Sequence, residues 1–143
     1  MTNQIQYAKI RNTKFEAPNK SEALNSKLYN LEDRTLEFGK RIIRLCKTLP
    51  KSTVNNCLLI QVMRSGTSLG ANYREANETD TKRDFKNRIR ISKKEAKETI
   101  YWLELIVEAN LRLKERILPL LQETRELMKI LGSIYEKTVK SKS

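Results

Sequence analysis

The stretch Arg64-Ser65-Gly66-Thr67-Ser68-Leu69-Gly70-Ala71-Asn72 decides the fold of this chain. Six of its nine residues are small, and Gly66 and Gly70 stand one helical turn apart within a sequence whose apolar spacing is helical. A glycine inside a helix costs about 1 kcal/mol relative to alanine. Such a cost is offset when a second helix approaches closely, because small side chains leave room for it. The stretch therefore predicts an α-helical bundle with one tight helix contact, made by Gly66, Ser68, Gly70, Ala71 and Asn72.

Outward from this stretch, apolar residues recur three and four positions apart from residue 31 almost to the C-terminus, which is the spacing of amphipathic helices. Asn30 is a suitable N-cap for the first helix, and Pro50 ends it. Pro119 is expected in the first turn of the last helix, where proline is tolerated. The predicted helices span residues 31–49, 53–77, 80–110 and 115–138. Short links between four helices predict an all-α, up-down-up-down antiparallel four-helix bundle over residues 30–140.

The two ends of the chain differ from this domain. Residues 1–29 are polar and locally basic, and they are predicted to form a flexible N-terminal arm. Leu24 and Leu28 continue the first apolar stripe backwards, so a helix start from about residue 21 stays open. Residues 141–143 are expected to be a frayed tail.

The charge of the chain is strongly unbalanced. Its 29 Lys and Arg against 17 Asp and Glu give a net charge of +12, which favours nucleic acid or another acidic partner. Residues 82–97 hold eight basic and two acidic side chains. The eight candidate nucleic-acid-binding residues are Lys82, Arg83, Lys86, Arg88, Arg90, Lys93, Lys94 and Lys97. They form either a solvated helix face or a face that contacts phosphates by charge and shape.

The residues available for catalysis are few. The chain has no histidine, which removes the commonest general acid/base and the commonest nitrogen ligand for metals. An enzyme would have to use Glu75, Glu95 and Glu98, and we expect no enzymatic activity, no metal and no cofactor. Cys46 and Cys57 are predicted to be buried reduced thiols, with a disulfide as the alternative. No apolar run approaches the roughly 18 residues of a membrane span, so a cytoplasmic protein is expected.

The third helix is predicted to take part in two further contacts. Residues 100–107 are apolar on more than one face, so Trp102 and Ile106 are predicted either to flank the core or to form a subunit interface. Arg64 lies on a polar stripe of the second helix, and Glu95 and Glu98 are candidates to meet it in a buried polar network.

Several segments carry a resemblance to a known family. They are LEDRTLEF at 31–38, Leu49-Pro50, QVMRSGTSLGANYREA at 61–76, KRDF at 82–85, KKEAKET at 93–99 and YWL at 101–103. These segments resemble the bacterial "four helix bundle protein" family, whose members were first noticed as open reading frames within intervening sequences of 23S ribosomal RNA genes. The accessory variability proteins of diversity-generating retroelements are similar. The resemblance implies a ring-like homopentamer with a basic surface, which in the retroelement relatives engages RNA and a reverse transcriptase.

Together these features predict a non-enzymatic, oligomeric accessory protein that binds nucleic acid. RNA is the expected partner, and a reverse transcriptase is a second one. The alternative is a scaffold for an acidic protein with no nucleic-acid role, and a nuclease is a third hypothesis.

Overall fold

A computed structural model describes residues 30–141, so the predictions made for residues 1–29 and 142–143 lie outside the described part. The described chain forms four long helices and one short 3-10 turn. They are α1 (Leu31–Thr48), α2 (Thr53–Asn77), α3 (Lys82–Ala109), the 3-10 turn Leu111–Leu113 and α4 (Lys114–Lys140). Helices adjacent in sequence pack antiparallel, and α1 also contacts α4. Every helix end lies within two residues of the predicted one.

Side chains placed just before the helices explain where they begin. Asn30 Oδ1 accepts hydrogen bonds from the backbone N–H groups of Glu32 (3.1 Å) and Asp33 (3.3 Å), so the predicted N-cap is confirmed. Ser52 and Thr81 cap α2 and α3 in the same way. These bonds satisfy amide groups that have no partner within the helix. The position predicted for Pro119 is wrong: α4 begins at Lys114, so this proline is its sixth residue and lies in the second turn.

The core runs the length of the bundle and contains apolar residues of all four helices. Its largest fully buried side chains are Phe38, Ile42, Val62, Leu69, Phe85, Ile89, Leu103, Ile106, Ile117, Leu127 and Leu131. The complete sets of buried residues in α1 and α3 recur every three or four positions, so burial follows the apolar stripe read from the sequence.

The small residues of α2 lie against α1. A Cβ atom added at Gly66 would lie 2.9 Å from Cγ1 of the buried Ile42, and one added at Gly70 would lie 3.0 Å from Cβ of Thr35. Both distances are shorter than ordinary carbon contacts. Ser68 is half-buried, and its carbonyl accepts a hydrogen bond from Asn72. The tight contact therefore depends on the two glycines.

Two further members of the predicted packing set, Ala71 and Asn72, lie on different sides of α2. Ala71 is exposed at the outer edge of the contact with α1, where it lines a shallow groove of about 190 Å³. Asn72 is half-buried and is bonded to Arg88 of α3. Ala71 thus lies beside α1, whose residues line the same groove, whereas Asn72 is directed towards α3.

Buried polar contacts join α2 to α3. The hydroxyls of Thr99 and Ser65 form a hydrogen bond of 2.9 Å, and Ser92 donates to the Leu69 carbonyl at 2.6 Å. At the other end of α2, the side-chain amides of Asn55 and Asn110 form two reciprocal hydrogen bonds of 2.8 and 2.9 Å. Because each buried partner is satisfied, these contacts restrict how α2 and α3 can slide against each other.

A candidate nucleic-acid interface on α3

The exposed face of α3 carries most of the predicted basic residues. Arg83, Arg90, Lys93, Lys94 and Lys97 are exposed, whereas Lys82, Lys86 and Arg88 are half-buried. Opposite this surface, Phe85, Ile89, Ser92 and Ala96 face the core. The helix thus separates an apolar side, which holds it in the bundle, from a cationic side that faces solvent.

Two of the eight predicted residues have hydrogen-bond partners outside α3. Arg88 Nη1 donates to Asn72 Oδ1 at 3.0 Å, which directs its side chain towards α2 and away from the cationic side. Lys82 Nζ donates to the backbone carbonyl of Ser141, just after α4. Arg88 therefore lies on the border of α3 that contacts α2.

The other six cations have no carboxylate partner in the described part of the chain. No Asp or Glu oxygen of residues 30–141 lies within 4.0 Å of the charged nitrogens of Arg83, Lys86, Arg90, Lys93, Lys94 or Lys97. Elsewhere in the bundle, Arg34, Arg44 and Arg64 each form an ion pair with glutamate, whereas surface lysines such as Lys40 and Lys47 form none with the described residues. We call these six residues the α3 cationic face.

A groove of about 620 Å³ opens where the α3 cationic face meets α4. Its lining consists of Thr81, Arg83, Asp84, Lys86, Asn87, Arg90 and, from α4, Tyr135. Arg90 Nη2 donates to Asn87 Oδ1 at 2.9 Å, which holds the guanidinium against its own helix. Tyr135 is half-buried and packs against the core, so the position of its ring is restricted.

The side chain of Lys93 on α3 lies against Gly132 of α4. A Cβ atom added there would lie 3.6 Å from Cε of Lys93, so the aliphatic part of the lysine lies over the glycine. This contact leaves the Lys93 ammonium group at the edge of the cationic face, since a lysine stem can pack on a helix while its charge stays in water.

The C-terminal half of α3 differs from the sequence prediction. Ile106 is fully buried within the subunit, so the prediction that it contributes to a subunit interface is wrong. Trp102 is half-buried, and its indole N–H donates to Glu98 Oε2 at 3.1 Å. Tyr101 is 56% exposed and packs edge-on against Trp102, with ring centroids 5.0 Å apart. The exposed aromatic surface therefore centres on Tyr101.

The predicted polar network between α2 and α3 forms at the surface. Arg64 contacts Glu95 at 3.4 Å and also pairs with Glu98. The Arg64 side chain is 48% exposed, so the expectation that this network is buried is wrong. Glu75 is exposed. Among the described residues, no group of three or more His, Cys, Asp and Glu is arranged to hold a metal ion.

The two cysteines are free thiols in different surroundings. Cys46 is half-buried, and this burial raises the pKa of its thiol from 9.0 to about 11. Cys57 is exposed, which contradicts the prediction that both cysteines are buried. No helix in the described part of the chain is long and apolar enough to cross a membrane.

Sequence reasoning missed two charged features. Arg34 of α1 donates to both carboxylate oxygens of Glu123 of α4, at 2.8 and 2.7 Å, and to Glu126 at 2.9 Å. Arg41, Arg44 and Arg116 line a second small groove, of about 170 Å³, between α1 and α4. A local signal for the second feature exists, since residues 40–51 hold five basic and no acidic side chains. No local pattern links Arg34 to residues 89 positions away.

Residues 30–141 thus form a small all-α bundle with a cationic face on α3. The sequence profile of the 23S rRNA-intervening sequence protein family matches residues 27–133, so the chain belongs to that family. It is also similar to the crystal structure of a protein of unknown function from the S23 ribosomal protein family of Bacteroides thetaiotaomicron. That likeness has 36% sequence identity and a TM-score of 0.67, and it covers 74% of this chain and 98% of the other. No curated protein matches this chain.

Proposed function

We propose that this protein is a non-enzymatic accessory protein that binds RNA through the α3 cationic face. The observation that supports the proposal most strongly is the concentration of six cations on one side of a single helix, none of which has an ion-pair partner within residues 30–141. A surface cation that serves only solubility commonly lies beside a carboxylate of opposite charge. Cations that repeat along a helix without such neighbours can follow a phosphate backbone and release its counterions.

The mode of binding follows from the side chains on this face. Five of the six cations are exposed, and Lys86 is half-buried at the edge of the groove. Lysine and arginine contacts to phosphates position a nucleic acid but read no sequence directly. We therefore expect weak dependence on sequence and steep dependence on salt. The resemblance to accessory variability proteins further suggests that the bound RNA is presented to a reverse transcriptase.

The first prediction tests the α3 cationic face by charge reversal. The triple variant Lys86→Glu, Arg90→Glu, Lys93→Glu should bind single-stranded RNA at least ten-fold more weakly than the parent at low salt. Each phosphate contact on a single strand contributes a slope of about −0.7 in log K against log salt, so losing three contacts should flatten the slope by about 2. Fluorescence anisotropy at several salt concentrations measures both quantities.

The control is Lys40→Glu, Lys47→Glu, Lys51→Glu, which reverses the same number of charges at exposed positions in α1 and just after it. It should reduce binding much less. Equal losses in the two triple variants would mean that only net charge matters and that the α3 face has no special role. If the parent binds no RNA at low salt, a scaffold for an acidic protein becomes the better hypothesis.

We further propose that the protein assembles as a ring-like homopentamer. A ring needs two different complementary patches on each subunit, because its interfaces are head-to-tail. Two exposed apolar patches occur on different helices: Tyr101 beside Trp102 on α3, and Leu36 with Ile43 on α1, which are 45% and 39% exposed. The α1 patch borders the shallow groove that also contains Gly39 and Ala71.

The second prediction concerns assembly. Light scattering at micromolar concentration should give about five times the subunit mass of 16.7 kDa. Leu36→Glu and Tyr101→Glu should each reduce that mass, since either variant places a charge in one half of the head-to-tail contact. A monomeric parent protein would contradict the proposal, and an oligomer unaffected by either variant would place its interface elsewhere.

A further inference from the structure

The groove between α3 and α4 is lined by cationic, polar and aromatic side chains. Its volume of about 620 Å³ lies within the roughly 300–1,000 Å³ of typical small-ligand pockets. Arg83, Lys86 and Arg90 contribute three positive charges, and Asp84 contributes one negative charge. Tyr135 also lines the groove, and this half-buried aromatic residue packs against the core.

Each of these groups suits a different part of a nucleotide. The guanidinium groups of arginine and the ammonium group of lysine bind phosphate oxygens. An aromatic ring stacks on the flat face of a base, and it does so with little dependence on base identity. Asp84 disfavours a ligand that is only an anion, whereas its carboxylate can accept a hydrogen bond from a base amino group. The lining therefore fits a base with its flanking phosphates better than it fits a free phosphate.

We propose that this groove holds one unstacked base of a single-stranded RNA against Tyr135, while Arg83, Lys86 and Arg90 bind the neighbouring phosphates. The inference rests on the proposed RNA-binding function and deepens it, because it makes single-stranded RNA the preferred substrate class. A duplex keeps its bases paired and stacked, so it can reach the exposed cations but cannot place a base in the groove.

The test compares the parent protein with single-stranded and double-stranded RNA of equal length by fluorescence anisotropy. Charge alone favours the duplex, which has the higher phosphate density. Tighter binding of the single strand would therefore support a base-binding site. Tyr135→Leu keeps an apolar side chain at this position, and it should weaken single-strand binding by about 5- to 150-fold, the usual range for loss of one base–aromatic stack. Tyr135→Phe retains the ring and should bind like the parent.

The duplex serves as the internal control, because its affinity should change little in Tyr135→Leu. If that variant fails to fold, as judged by circular dichroism, the inference is still tested by comparing the affinities of the parent and of Tyr135→Phe for single-stranded and double-stranded RNA. Equal or tighter binding of the duplex by the parent would overturn the inference and leave the proposed function intact. No binding of either RNA at low salt would overturn the proposed function itself.

Discussion

Arg34 of α1 and Arg90 of α3 are both arginines on long helices, but their charges have different surroundings. Arg34 is only 17% exposed and bridges Glu123 and Glu126 of α4, so its charge is neutralised within the fold. Arg90 is exposed and bonds only to the neutral amide of Asn87 among the described residues. A paired, partly buried guanidinium joins two helices, whereas an unpaired exposed one leaves its charge available to a partner.

The same contrast extends to the helices as a whole. The residues of α1 make close internal contacts, with Ile42 and Thr35 lying against the glycines of α2 and Arg34 lying against α4. The α3 cationic face is exposed to solvent. Changes at the α1 contacts should therefore lower stability and leave the RNA-binding residues in place, whereas changes on the α3 face should do the reverse.

The largest expected effect on stability comes from Gly66→Leu. Even a Cβ atom at this position would lie 2.9 Å from Ile42 Cγ1, so a leucine must separate α1 from α2. We expect a loss of about 3 kcal/mol in the free energy of unfolding, at the upper end for overpacked sites. Urea denaturation measures this change.

The control for Gly66→Leu is Gly39→Ala, because a Cβ atom at Gly39 would have no neighbour within 4 Å. That variant should gain up to about 1 kcal/mol through higher helix propensity. An unchanged denaturation midpoint for Gly66→Leu would show that the α1–α2 contact is not tight. Close packing would then no longer distinguish α1 from α3.

A smaller loss is expected for Arg34→Met, which keeps most of the aliphatic stem and removes the charge. Glu123 is 16% exposed, so it would be left partly buried without its bidentate partner. Hydrogen bonds to charged groups contribute about 1.5–3 kcal/mol, and we expect a loss of about 2 kcal/mol. Urea denaturation of this variant should show the loss, while the affinity for single-stranded RNA stays within two-fold of the parent value. A large loss of RNA affinity in a folded variant would place Arg34 among the binding residues.

The smallest effect on stability is expected for the triple charge reversal on α3. Its three substitutions each change the charge by −2 and so lower the net charge from +12 to +6. Because none of the three side chains loses an ion pair within the described residues, the free energy of unfolding should change by less than about 0.5 kcal/mol. Thermal denaturation of the triple variant and of the parent measures this difference in stability. If the variant instead unfolded at much lower temperature, the three cations would have a structural role, and the contrast with Arg34 would fail.

Local patterns were sufficient for the helices and for one helix contact. The three-to-four spacing of apolar residues placed the helix ends within two positions, because a helix must turn its apolar stripe towards the core. Gly66 and Gly70 indicated the close approach of another helix, because a glycine inside a helix lowers stability unless tight packing offsets the cost. The same reasoning failed at Ile106, since an apolar run on several faces does not indicate which face lies inside.

The four helices, their apolar stripes and the concentration of positive charge between residues 82 and 97 are all local features that can be read from the amino-acid order. Which charges are neutralised cannot be read in this way, because neutralisation depends on the rotation and axial offset of one helix against another. Arg88 meets Asn72, and Arg34 meets Glu123 across 89 positions of sequence. The groove beside Tyr135 likewise exists only because α4 lies against the first turns of α3. Helical periodicity is a local property of the chain, whereas pairing and grooves arise from packing between helices.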